Sequence, residues 1–165
     1  MAPQEQYVAD ANALIQLHRH FGPTALRKLR ELAASETLRL PEGVVREILR
    51  GTDRLAQFVK KHQPDLEVSF RNNTSLISEL SRIERTYGES ISVGKRKYPG
   101  FWHSPAGRKS ADAQVIAAAI VLRATVVSDD RAVQLACSQE GVPCIGWTEF
   151  ARRIGLIKPT QLSLL

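Results

Sequence analysis

The stretch SADAQVIAAAIVLRATVVSDD, Ser110 to Asp130, decides the fold class. Ser110 stands where a cap belongs. A serine hydroxyl there accepts one of the unpaired N–H groups of a first helical turn. The spacing then predicts a helix over Ala111–Arg123, with Val115, Ile116, Ala119 and Leu122 on one stripe. TVVS, Thr125–Ser128, follows as a short buried strand of β-branched residues. A second helix is predicted over Asp129–Glu140, with Ser128 as its cap.

Outward from this unit the same alternation continues. Tyr7–Asp10 (YVAD), Leu38–Leu40 (LRL), Leu66–Phe70 (LEVSF) and Pro143–Gly146 read as strands. Helices are predicted over Asn12–Phe21 and Thr24–Glu36, broken at Gly22-Pro23, and over Glu42–Arg50, ended by Gly51. Others cover Asp53–His62, Thr74–Tyr87 and Trp147–Ile154. Strands alternating with helices imply an α/β protein: a mainly parallel sheet with helices on both faces. The irregular exception is Gly88–Lys109, and a loop that long is functional or disordered as a rule.

At 165 residues the chain fits one domain, 1–165, that needs no disulfide or zinc staple. Its two cysteines, Cys137 and Cys144, lie in apolar surroundings at no zinc spacing and read as buried thiols of a reducing compartment. His18, His20, His62 and His103 pair with no cysteine or carboxylate at ligand spacing. No apolar run approaches the ~20 residues that cross a bilayer, and MAPQEQ lacks a signal peptide's layout. A cytoplasmic protein is expected. The net charge of +6 suits a polyanionic partner, nucleic acid above all, but plenty of basic domains bind nothing charged, so the charge alone decides little.

In a doubly wound sheet, ligands bind beyond the carboxyl ends of the strands, where strand order reverses. Asp10 ends the first strand, with Asn12 two residues on, and TVVS delivers Ser128, Asp129 and Asp130. Glu47 interrupts the apolar VVREI and is expected on a core-facing position, as is Asp112 at the head of ADAQVIAAAI. Each acid has a structural role open to it. Asp112, Asp129 and Asp130 sit in first helical turns, where the macrodipole favours carboxylates by roughly 0.3–1 kcal/mol; Asp10 suits a turn and Glu47 an exposed helix face. Together they are harder to explain, because burying several carboxylates unpartnered is costly. A shared cation with a preference for oxygen ligands, such as Mg²⁺ or Mn²⁺, removes that cost.

The series D-x-N at Asp10–Asn12, P-x-x-V-x-x-E-I from Pro41, A-D-A-x-V-I-A-x-A from Ala111 and V-V-S-x-D from Val126 resembles a PIN domain. It is most similar to the VapC-like ribonuclease toxins of type II toxin–antitoxin modules, and the likeness runs in family order from Tyr7 to about Gly155. The resemblance implies a three-layer α/β/α fold with a parallel five-stranded sheet in the order 3-2-1-4-5. It implies an endoribonuclease whose metal-binding and catalytic acids are Asp10, Glu47, Asp112 and Asp130, supported by Asn12 and Ser128. Asp129 rivals Asp130; the family's hydroxyl–x–acid spacing from Ser128 favours Asp130. It also implies an RNA substrate, a homodimer and an inhibitory antitoxin. Leu14, Ile15 and Leu17, with Leu55, Phe58 and Val59, offer apolar surface that permits the dimer.

The chain departs from the family over 88–109, an insertion in a core of about 7–155. Lys95, Arg96, Lys97, Arg108 and Lys109 interleave there with Tyr98, Phe101, Trp102 and His103. Two readings stand side by side: cations on phosphates with rings stacking on bases, or a solvated basic loop anchored by its aromatics. Three rival functions are weighed. A catalytically silent PIN module binding nucleic acid or protein has no need of the full acid set. A haloacid-dehalogenase-type phosphatase needs a second acid where Asn12 stands. A receiver domain needs paired acids and a late lysine that are not evident.

Overall fold

Tyr7, Val8 and Ala9 form β1 and are buried on both faces, as a central strand of a parallel sheet must be. The computed structural model describes residues 4–158. β1 pairs in parallel with β2 (Leu38–Pro41) on one side and β6 (Thr125–Val127) on the other. β3 (Glu67–Val68) extends the sheet beyond β2, and β7 (Cys144–Ile145) beyond β6. The order is β3-β2-β1-β6-β7. This is the expected 3-2-1-4-5 topology, with β6 and β7 as the fourth and fifth sheet strands.

The order reverses between β1 and β6. Right-handed crossovers therefore place the intervening helices on opposite faces. α1 (Ala11–Phe21), α2 (Pro23–Ala34), α3 (Glu42–Leu49), α4 (Arg54–Leu66) and α8 (Trp147–Arg153) pack among themselves. α5 (Thr74–Tyr87), α6 (Asp112–Leu122) and α7 (Arg131–Glu140) form the other layer. No helix among the described residues is long and apolar enough to cross a membrane.

Several local expectations need correction. The predicted single stripe of α6 is a helix buried nearly all round, Ala113 and Val115 through Ala119 included, because α5, α7 and the sheet enclose it. α4 continues through Pro64 to Leu66, whose complete burial outweighs the local breaker, and this shortens β3 to two residues. Ser128 does not cap α7; Asp130 does, accepting the Val133 N–H at 3.0 Å. Of the apolar residues expected to permit a dimer, Leu14, Leu17, Leu55 and Val59 are spent in the chain's own core, leaving Ile15 and Phe58 partly buried.

The segment 88–109 is not irregular. β4 (Ser90–Val93) and β5 (Arg96–Pro99) form an antiparallel hairpin outside the main sheet, followed by 3-10 turns at Phe101–His103 and Gly107–Lys109. Ile91 and Phe101 bury completely or nearly so and fasten it. Gly88 has no room for a side chain: a β-carbon would stand 2.4 Å from the Trp102 ring. The alternation of S-I-S-V is a strand signal masked by the surrounding Gly, Lys and Arg.

Candidate active site at the switch point of the sheet

Asp10 lies immediately after β1, and its backbone N–H continues the ladder to Val127 O at 3.1 Å. Its Oδ1 caps α1 by accepting the Ala13 N–H at 2.8 Å, and its Oδ2 accepts the Ser128 hydroxyl. Ser128 is fully buried, and its Oγ also accepts the Asp130 N–H at 3.1 Å. The ends of β1 and β6 are thus tied through one hydroxyl. Burial pushes the Asp10 carboxyl up to about 6; Ser128 and the Ala13 N–H pull it back, and the charges of Asp130 and Asp129 push it up again.

Asp112 opens α6, with its N–H donated to Ser110 Oγ at 3.2 Å. Burial pushes its carboxyl up to about 7, followed in effect by the charge of Asp130; Ser110 opposes, while Asp10 and Glu47 add further repulsion. Asp10, Glu47, Asp112, Asp129 and Asp130 all border one cleft of about 1260 Å³. Small-molecule pockets run roughly 300–1,000 Å³. This one has room for a segment of polymer. Arg46, Arg50, Arg108 and Lys109 stand on its walls, all exposed.

Residues 7–156 match the family described as a domain of unknown function, DUF4411. The chain belongs to that family. No curated protein sequence matches it. Among solved structures it is similar to PAE2754 from Pyrobaculum aerophilum, at 15% identity over 95% of this chain and 100% of that one, with a TM-score of 0.52. FitAB bound to an IR36 DNA fragment gives 14% identity, 86% and 95% coverage and a TM-score of 0.50. VapBC-1 from nontypeable Haemophilus influenzae gives 14%, 86% and 98%, and 0.48. At these identities the first two likenesses speak for the fold alone, which is PIN-like.

In this DUF4411 chain the two candidates for the fourth acid differ in what holds them. Asp129 Oδ2 accepts the Trp147 N–H at 3.0 Å at the start of α8. Asp130 caps α7 through Oδ1, and it is the larger source of repulsion at both Asp10 and Asp112. Asn12 is exposed on the cleft wall. Glu47 is exposed as well, contrary to the core-facing expectation. Val44, Val45 and Ile48 bury the opposite face of α3 and turn Glu47 into the cleft.

The basic and aromatic residues separate into two groups. Arg108 and Lys109 reach the cleft; Lys95, Arg96 and Lys97 are exposed on the hairpin and do not line it. The Arg108 guanidinium lies 3.9 Å from the centre of the Trp102 ring, so one face of that indole is already covered. Tyr98 meets Arg131, the residue after Asp130, at 4.7 Å, which lays the hairpin along α7. Sequence reasoning misses Arg46, Arg50, Glu84, Gly43 and Gln114, all on the cleft. The first two are legible, since Gly43, Arg46, Glu47 and Arg50 recur at i, i+3, i+4 and i+7 on one helix face.

The acid set suits a hard divalent cation. Its donors are all oxygens, and burial together with the neighbouring acids pushes the Asp10 and Asp112 carboxyls up, a repulsion that a bound cation would relieve. Among the described residues no three acidic, histidine or cysteine side chains form a cage placed to hold a metal ion. Mg²⁺ commonly keeps several waters and takes only one or two carboxylates, so such a cage is not a requirement.

Proposed function

We propose that this chain is a divalent-metal-dependent endoribonuclease hydrolysing RNA phosphodiester bonds, and the toxin of a toxin–antitoxin pair. The observation that carries the reading is one polymer-sized cleft with mutually repelling acids on its floor and exposed arginines on its walls. Asp10, Glu47, Asp112 and Asp130 would hold Mg²⁺ or Mn²⁺, directly or through water. A cation bound there supplies charge stabilisation at the phosphate under attack. Arg46, Arg50, Arg108 and Lys109 draw the flanking phosphates in. Ser128 keeps Asp10 oriented, and Asn12 steadies the phosphate from the wall. A carboxylate oxygen left free accepts the proton of the attacking water. Residues 7–155 act as one catalytic core, in which Lys95, Arg96 and Lys97 of the hairpin grip the strand outside the cleft and Arg108 and Lys109 hold it within.

Incubating labelled RNA with the purified chain and Mn²⁺ tests this. Cleavage abolished by EDTA and by Asp112→Asn is expected. A silent module that binds RNA or protein is the second reading, favoured by the helix caps that Asp10 and Asp130 already supply; RNA bound but uncut in Mn²⁺ would establish it. The antitoxin proposal rests on the sequence resemblance and the FitAB-like fold. It expects the product of an adjacent reading frame to co-purify and block cleavage, with an arginine suited to pairing with the acids. The homodimer would form through the remaining apolar surface at Ile15 and Phe58. A strict monomer in light scattering at tens of micromolar would remove that part.

A further inference from the structure

α3 begins after Pro41, which has no side chain able to cap it. Its free first-turn N–H groups need partners from elsewhere. Gly43, the second residue of α3, donates its N–H to Gln114 Oε1 at 2.8 Å, across 71 residues of sequence. Gln114 is the third residue of α6. The two first turns therefore meet at the cleft, and both residues line it.

The arrangement was built at a cost. Glycine inside a helix is about 1 kcal/mol worse than alanine. Yet a β-carbon on Gly43 would stand 2.7 Å from Gln114 Oε1 and 3.0 Å from the Ala111 β-carbon. Glycine leaves the glutamine amide free to lie against the α3 backbone, and a side chain at 43 would push that amide away. α3 packs chiefly on α1, α4, β2 and β3, whereas α6 packs on α5, α7, β1, β2 and β6. This hydrogen bond bridges two layers of the fold. Glu47 lies one turn beyond Gly43 on the same face of α3, and Asp112 lies two residues before Gln114.

We infer that Gln114 is a positioning residue: its clasp on Gly43 sets the separation of Glu47 and Asp112, and with it the cation affinity of the cleft. The inference rests on the metal-site reading above. Without the clasp, the first turns of α3 and α6 are tied mainly through the strand β2 that both pack on, and two acids that must meet one ion are held less closely to a fixed distance. Residues that orient ligands from outside the coordination sphere change metal affinity by roughly 10–100-fold when removed.

The test is Mn²⁺ binding alone, followed by electron paramagnetic resonance on the full chain, with no RNA present. Wild type should bind Mn²⁺, and Asp112→Asn should not. Gln114→Met keeps the side chain's length and loses the acceptor; it should weaken binding about tenfold. Gly43→Ala, which breaks the clasp from the α3 side, should do the same. Gln114→Glu keeps an acceptor and should bind at least as tightly as wild type. Metal-free melting of each variant reads folding separately, and a merely structural role would lower the melt without moving the Mn²⁺ affinity of the folded protein. If wild type binds no Mn²⁺, or Asp112→Asn binds it equally, the metal-site reading fails and this inference falls with it. If wild type binds, Asp112→Asn does not, and Gln114→Met matches wild type, the site stands and the role of Gln114 is overturned.

Discussion

Ser128 donates its hydroxyl to Asp10 Oδ2 and through the same oxygen accepts the Asp130 N–H, so one buried side chain spans the reversal of the sheet. Removing it leaves a buried carboxylate oxygen without its donor. Such a loss costs about 1–3 kcal/mol. Ser128→Ala should lower the urea midpoint accordingly and push the Asp10 carboxyl further up. An unchanged midpoint would mean the hydroxyl is dispensable to the fold.

The acids divide by what else they hold. Asp10→Asn, Glu47→Gln, Asp112→Asn and Asp130→Asn should each nearly abolish Mn²⁺-dependent cleavage with the fold intact by circular dichroism. Asp129→Asn should cost much less, because an amide oxygen still receives the Trp147 N–H. Asp129→Ala should instead lose roughly 0.5–2 kcal/mol of stability as α8 loses its acceptor. Activity surviving in two of the first four would sink the assignment.

How far the sequence carries the fold depends on the reach of each signal. β1, β6 and α5 are readable because apolar periodicity and terminal caps are local; Asn73 caps α5, whose first residue falls where the sequence predicts it. The hairpin at 90–99 is hidden because its strands are short and mostly exposed, β5 is basic, and within them only Ile91 is fully buried. The acids of the cleft announce themselves by following strands or opening helices. The Gly43–Gln114 clasp does not, since a hydrogen bond over 71 residues leaves no periodic trace. Glu47 stands out for a different reason than core-facing placement: it interrupts an apolar run by facing away from it.

Lys95, Arg96 and Lys97 stand exposed on a hairpin that runs beside α7 and outside the cleft. If they grip RNA, replacing all three with alanine should weaken binding. The salt slope should fall by about 0.7 for each single-strand phosphate that these side chains no longer neutralise. Cleavage of saturating RNA should persist, because the cleft is untouched. Replacing Arg108 and Lys109 should impair cleavage as well as binding. An unchanged slope in the hairpin variant would make it a solvated element only.

Asp10 and Asp112 give the metal-free protein an unusual dependence on pH. Both carboxyls are raised, to about 6 and about 7, from the 3.8 of an unhindered aspartate. Between about pH 4 and 7 the native state therefore binds more protons than the unfolded chain, and stability falls as pH rises. Above the folded values the penalty is complete and the curve levels, after a loss on the order of a few kcal/mol. The acids lowered by hydrogen bonds and ion pairs, Glu5, Glu140 and Glu149, act in the opposite sense, and they do so below the 4.5 of a free glutamate. They do not mask the window. In EDTA, urea midpoints should thus decline from pH 5 to pH 8, and Asp112→Asn should flatten the decline and stabilise the protein at pH 8. Neutralising an acid of a working site commonly raises stability while removing activity. Mn²⁺ competes with protons for the same oxygens, so its stabilising effect should be small at pH 5 and large at pH 8. Equal midpoints for wild type and Asp112→Asn across the range would show that the carboxyls are not held under mutual repulsion.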